Sequence, residues 1–185
     1  MSLKKEDQII KAVVAYLSIN PGSSLEDIAK NIGVSRTTLF RYFPSREKLF
    51  EKVILELDGQ VRTQLMPVLN EKISAIEMLN KIIEIVIRQN VQFSFLLYEP
   101  FIQQDPINQS VIKNALNLLQ GVIERLQQEE IIKKNINIHW AAKNLETMIR
   151  AMGECLHDGD VAINAAPQML VDTFLKGFSN PVHED

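Results

Sequence analysis

The sequence predicts an all-α protein of about nine helices, and three observations carry that expectation. Apolar residues recur at i, i+3, i+4 and i+7 along nearly the whole chain. No segment shows sustained apolar–polar alternation with β-branched enrichment. The prolines and glycines best placed to interrupt a helix, such as Pro21-Gly22, Gly33, Pro44 and Pro100 to Pro106, fall between the periodic stretches. The 185 residues are 46% hydrophobic and 23% charged, with seven Gly and seven Pro. That composition excludes disordered, collagen-like and low-complexity chains, and the length suits one domain or two small ones.

Taken in order, the first helix sets Ile10, Val13, Val14 and Leu17 on one stripe and stops before Pro21. A second carries Leu25, Ile28, Ala29 and Ile32. Ser24 precedes it as a cap, Asp27 sits near its positive end, and Gly33 takes the turn that closes it. Ser35 caps a short third helix that must end before Pro44. The fourth starts near Ser45, buries Phe50, Val53, Ile54, Leu57 and Val61, and runs to Pro67. Gly59 inside it costs about 1 kcal/mol relative to Ala. Separate helices follow from about Ala75 to Arg88 and from about Val91 to Tyr98, with a loop over Pro100 to Pro106. The last three run from about Asn108 to Gln128, His139 to Leu156 and Pro167 to Phe178.

The net charge of −3 is unevenly spread. Residues 1–50 hold eight Lys or Arg against five acids, a balance of +3, and residues 51–185 hold twelve against eighteen, a balance of −6. Such asymmetry marks a basic module joined to one with another job. The single cysteine, Cys155, allows no intrachain disulfide, and three histidines with one cysteine supply no metal centre. No Gly-rich phosphate loop, paired catalytic carboxylates or nucleophile elbow occurs, so the reading is a non-enzyme without cofactor or metal. Cys155 to Asp160 reads as a helix end rather than a metal or nucleophile site. No apolar run is long enough to span a bilayer, and no apolar core follows the polar N-terminus; a cytoplasmic protein with no membrane partner is expected.

Helices two and three, joined by the short turn Asn31-Ile32-Gly33-Val34, have helix-turn-helix layout, in which the second helix enters the DNA major groove. At 100° per residue, Leu39, Phe40 and Phe43 form the apolar side of the third helix, leaving Thr37, Thr38, Arg41 and Tyr42 opposite. Arg36, in the first turn, has the reach and fork for guanine O6 and N7, and threonine methyls suit thymine methyls. The hydroxyls of Ser24, Ser35 and Thr38 suit phosphate oxygens. Pro44-Ser45-Arg46-Glu47-Lys48 opens the fourth helix, where Arg46 and Lys48 add charge to its positive end.

The run from Ile28 to Leu49, IAKNIGVSRTTLFRYFPSREKL, resembles the DNA-binding signature of the tetracycline-repressor (TetR) family of bacterial transcriptional regulators. The resemblance implies an N-terminal three-helix DNA-binding domain, a larger helical domain that binds an inducer, and a homodimer built mainly from the last two helices. It places Ser24 and Ser35 at phosphates, Arg36 and Thr37 at bases, and Arg41, Tyr42 and Arg46 at further, mostly backbone, contacts. Phe40 stands where the family often has tyrosine, Arg46 where it more often has lysine, and the first two helices are joined by a shorter connection than is usual. Domains at residues 1–44 and 45–185 follow, with the fourth helix linking them.

In the body, Phe93, Phe95, Tyr98, Phe101, Trp140 and Met148 are the large residues able to line a pocket for an apolar or aromatic effector. The last two helices carry more apolar surface than one face needs, with Met152, Leu170, Val171, Phe174, Leu175 and Phe178 as candidate dimer contacts. The resulting expectation is a dimeric, ligand-responsive repressor of a pseudo-palindromic double-stranded DNA operator. The alternative is a helix-turn-helix-derived protein-interaction or assembly factor without an inducer.

Overall fold

The computed structural model describes residues 2–20, 22–93 and 102–178, excluding the side chains of residues 2–4, 90–93 and 103. These residues form eight α-helices and no β-strand: α1 (Ser2–Leu17), α2 (Leu25–Asn31), α3 (Arg36–Tyr42), α4 (Arg46–Asn70), α5 (Ala75–Phe93), α6 (Pro106–Gln128), α7 (Ile138–Asp158) and α8 (Ala166–Phe178). A 3-10 turn, Ile102–Gln104, precedes α6. The all-α expectation holds. They group into two compact units, residues 1–60 with 92–111, and residues 61–91 with 112–185.

Two boundaries differ from the sequence reading. Val91 belongs to α5 and does not open a separate helix, because Arg88, Gln89 and Asn90 are polar yet include neither Gly nor Pro to stop the turn. The remainder of that expected helix, residues 94–98, lies outside the described residues. Helix α4 continues through Pro67 to Asn70. Proline's fixed φ is compatible with helix, and one missing N–H near the end costs the ladder a single bond.

The first unit is built on a stripe of α1 (Ile9, Ile10, Val13, Val14, Leu17) packed with Ile28 and Ala29 of α2 and Leu39 and Phe43 of α3. Leu49, Phe50, Val53, Ile54 and Leu57 of α4 and Ile102 complete the core. Burying each of these side chains larger than alanine is worth about 1.5–3 kcal/mol. Leu39 and Phe43 therefore supply most of the apolar hold on the seven-residue α3.

The second unit packs Met78, Leu79, Ile82, Ile83 and Ile87 of α5 with Leu119, Val122, Ile123 and Leu126 of α6, Ala141, Ala142, Leu145 and Ile149 of α7, and Leu170, Val171, Phe174 and Phe178 of α8. Two charged groups, one in the last turn of α6 and one just beyond its end, fasten the start of α5. Arg125 Nη2 donates to the Ile73 carbonyl at 2.6 Å, and the Ala75 N–H donates to Glu129 Oε2 at 2.7 Å. Helix α7 ends as expected at Gly159, whose φ of 81° is left-handed and whose N–H returns to the Cys155 carbonyl.

Candidate nucleic-acid interface

Both short helices of the first unit start on serine caps. Ser24 Oγ accepts the Asp27 N–H at 3.1 Å and donates to Asp27 Oδ2 at 2.6 Å. Ser35 Oγ accepts the Thr38 N–H at 3.1 Å and lies 2.8 Å from Thr38 Oγ1. The chemistry of the two differs. Ser24 has committed its proton to a carboxylate, whereas the Ser35–Thr38 pair has two hydroxyl protons and one mutual bond, which leaves one proton for an outside acceptor. Gly33 makes the turn between the helices at a φ of 73°.

On α3, Arg36, Thr37 and Arg41 are exposed and Thr38 is half-buried, while Leu39 and Phe43 face inward. The aromatic neighbours take the opposite places to those read from the sequence. Tyr42 packs against the core with Arg41 lying over its ring at 5.2 Å. Phe40 is half-buried and carries the Arg36 guanidinium at 5.2 Å from its centroid. Both aromatics flank the Leu39–Phe43 stripe by about 80°, so helical geometry gives neither an advantage, and the pocket available decides.

The basic side chains have partners of their own. Arg36 Nη1 stands 2.5 Å from Glu26 Oε1 of α2, with the two side chains 66% and 63% exposed. Arg46 is half-buried over the Phe50 ring and donates from Nη1 to the Ser23 carbonyl at 2.7 Å. It thus fastens the connection between α1 and α2 to the start of α4. Tyr16 supports the same connection, its hydroxyl accepting from Ser23 Oγ at 3.3 Å and from Asn31 Nδ2 at 3.2 Å. Lys48 Nζ reaches both oxygens of Glu51, at 2.6 and 2.8 Å. The start of α4 also holds its own anion: a hydrogen bond from Ser45, then a backbone N–H and the Arg46 charge, keep the Glu47 carboxyl below its ordinary range.

The first unit therefore brings Ser24, Ser35, Arg36, Thr37, Thr38, Arg41, Arg46 and Lys48 together around two capped helices, with Tyr42 turned toward the core. Sequence reasoning missed Glu26, Tyr16 and Ser23. For Glu26 the signal was an acid in the first turn of the helix packed beside the basic one.

The second unit does not gather its candidates in the same way. Trp140 is 56% exposed and lies 5.1 Å from the Phe178 ring, and Met148 is half-buried against the core. Phe95, Tyr98 and Phe101, with the side chain of Phe93, lie outside the described residues. Among the described residues, one cleft of about 350 Å³ lies between Glu84 and Arg88 of α5 and Pro167 and Gln168 of α8, and another of about 430 Å³ beside Glu124, Gln127, Lys134 and Ile138. Neither is lined by Trp140 or Met148. Leu170, Val171, Phe174 and Phe178 are buried within their own unit and Met152 and Leu175 are half-buried against it, while Met169 on the same helix as Leu170 is 51% exposed. Among the described residues no three His, Cys, Asp or Glu side chains form a metal-holding group, and no helix is long and apolar enough to cross a membrane.

Residues 21–53, which span α2, the turn, α3 and the start of α4, match the family model of bacterial regulatory proteins, tetR family. Over these residues the chain carries a DNA-binding region of the TetR type. Over 183 residues it is 24% identical to the HTH-type transcriptional regulator NfxB of Pseudomonas aeruginosa, covering 97% of each chain. Over 92 residues it is 33% identical to the nucleoid occlusion factor SlmA of Marinomonas sp., a match covering 47% of each, so the chain spans about half the length of that relative. The fold is also that of the TetR-like transcriptional regulator LfrR of Mycobacterium smegmatis, solved in complex with proflavine. The two align with a TM-score of 0.77 and 19% identity over 98% of this chain and 100% of that one. NfxB and LfrR are thus transcriptional regulators by description, and SlmA a nucleoid occlusion factor.

Proposed function

We propose that this chain is a dimeric repressor of the TetR family that binds a pseudo-palindromic double-stranded DNA site with one α3 helix per half-site and releases it on binding an apolar or aromatic effector. The observation that carries the reading is the exposed face of α3, where Arg36, Thr37 and Arg41 stand on a helix anchored from behind by Leu39 and Phe43. Arg36 and Thr37 read base edges, while Arg41 and the remaining hydroxyl proton of the Ser35–Thr38 pair hold the phosphate backbone. The complex of LfrR with proflavine and the aromatic run from Phe93 to Phe101 support the effector. Effector and DNA favour different conformations, and α4, which starts in the first unit and ends in the second, links them covalently.

The test is binding to the DNA upstream of the chain's own gene, measured across salt concentrations. Arg41→Ala lowers affinity for every sequence and flattens the salt dependence; Arg36→Ala or Thr37→Ala also relaxes base preference. Equal losses on specific and random DNA for all three variants overturn this division of roles. An apolar ligand that raises the melting temperature and releases DNA identifies the effector class.

The matches to SlmA favour a second reading, a DNA-bound protein-interaction or assembly factor without a small-molecule inducer. Sites scattered along the chromosome instead of clustered upstream of genes, with no response to ligands, select it.

A further inference from the structure

Glu26 takes no part in capping α2 or in the core; it reaches across to the recognition helix. Its carboxylate meets Arg36 at Nη1, while the flat face of the same guanidinium lies on Phe40. A guanidinium presents its donors in a rigid plane, and once Nη1 is engaged the edge formed by Nε and Nη2 remains intact as a parallel pair of N–H groups. That edge matches O6 and N7 of guanine. The pair is too exposed to matter to folding, since ion pairs this wet contribute little. Its effect is on orientation: an otherwise long, freely rotating side chain is fixed at one face and one edge.

We propose that Glu26 is a specificity-determining positioning residue that holds Arg36 for side-on, bidentate recognition of a guanine in each half-site. The inference rests on the DNA-binding function proposed above. Its consequence has two opposite signs. As a negative charge on the DNA-facing side, Glu26 weakens attachment to phosphates on any sequence. As the holder of Arg36, it strengthens attachment where guanine stands at the right position. Replacing it raises affinity for random DNA and lowers discrimination at that base together, which neither plain charge repulsion nor a folding defect does.

The experiment selects a preferred site from a random double-stranded library with the wild-type chain. Binding is then measured to that site, to copies carrying 7-deazaguanine at single positions to remove N7, and to random DNA. For the wild type, one guanine per half-site is sensitive, by about tenfold. Glu26→Gln loses most of that sensitivity, binds random DNA more tightly, and keeps the wild-type melting temperature. In Arg36→Met, which keeps an unbranched stem and loses every guanidinium donor, the sensitivity is already absent and Glu26→Gln changes it no further. If Glu26→Gln keeps the full 7-deazaguanine sensitivity, or if specific and random affinities rise by the same factor, the inference is overturned and DNA binding stands. If the wild type selects no sequence at all, the functional reading falls and this inference with it.

Discussion

Helix α3 and helix α8 use their residues in opposite ways. Of α3 and its C-cap only Leu39 and the cap residue Phe43 lie fully buried and the charged and hydroxyl groups face outward; in α8 Ala166, Leu170, Val171, Phe174 and Phe178 are all buried. A helix held by two side chains leaves its remaining surface to be shaped for another molecule, so binding and stability are separable there. A helix that spends its apolar residues on its own unit leaves no such freedom, and any second molecule meets what is left outside, such as Met169, Asp172 and Thr173.

Substitutions can break this contrast. Phe174→Ala removes a fully buried ring that stacks on Phe178 at 4.7 Å, and the expected loss is about 3–5 kcal/mol in urea unfolding. A loss under about 1 kcal/mol would mean that α8 is not an internal core helix. Ser35→Ala removes the α3 cap and is expected to cost about 1 kcal/mol, as is Ser24→Ala. On DNA the two should separate, Ser35→Ala weakening binding beyond what refolded protein explains and Ser24→Ala not, as read by binding at matched folded fraction. Gly59→Ala, at an exposed position of α4 where a Cβ meets nothing within 4 Å, should add about 0.5–1 kcal/mol. Thr37→Ala should leave the urea midpoint within about 0.5 kcal/mol of wild type while altering base preference; a larger shift would show that the α3 face is not independent of its fold.

Much of the first unit was legible because its signals are local. Ser24 and Ser35 each lie three residues from the amide they accept, and Gly33 sits at the turn that needs its φ. Which of Phe40 and Tyr42 would pack inward was not legible, since both lie symmetrically about the buried stripe and hydropathy favours the wrong one. Nor was the Arg46 bond to the Ser23 carbonyl, a pairing across 23 residues. In the second unit periodicity identified the helices, but an apolar stripe does not name the surface it faces. Leu170 and Phe174 read equally well as core or as interface until α5, α6 and α7 are in place.

The seat of Glu129 bears on the order in which the second unit assembles. Helices α2 and α3 carry their caps in adjacent sequence, so their first turns can form as soon as those few residues meet. Helix α5 has a local cap in Ser74, which accepts the Glu77 N–H, but its opening amide at Ala75 waits for a carboxylate 54 residues away. That bond closes only after the chain has looped back through α6, and the Arg125 bond to Ile73 closes with it. The end of α5 nearest α4 is therefore tied down late, and removing Glu129 should speed unfolding more than it slows folding.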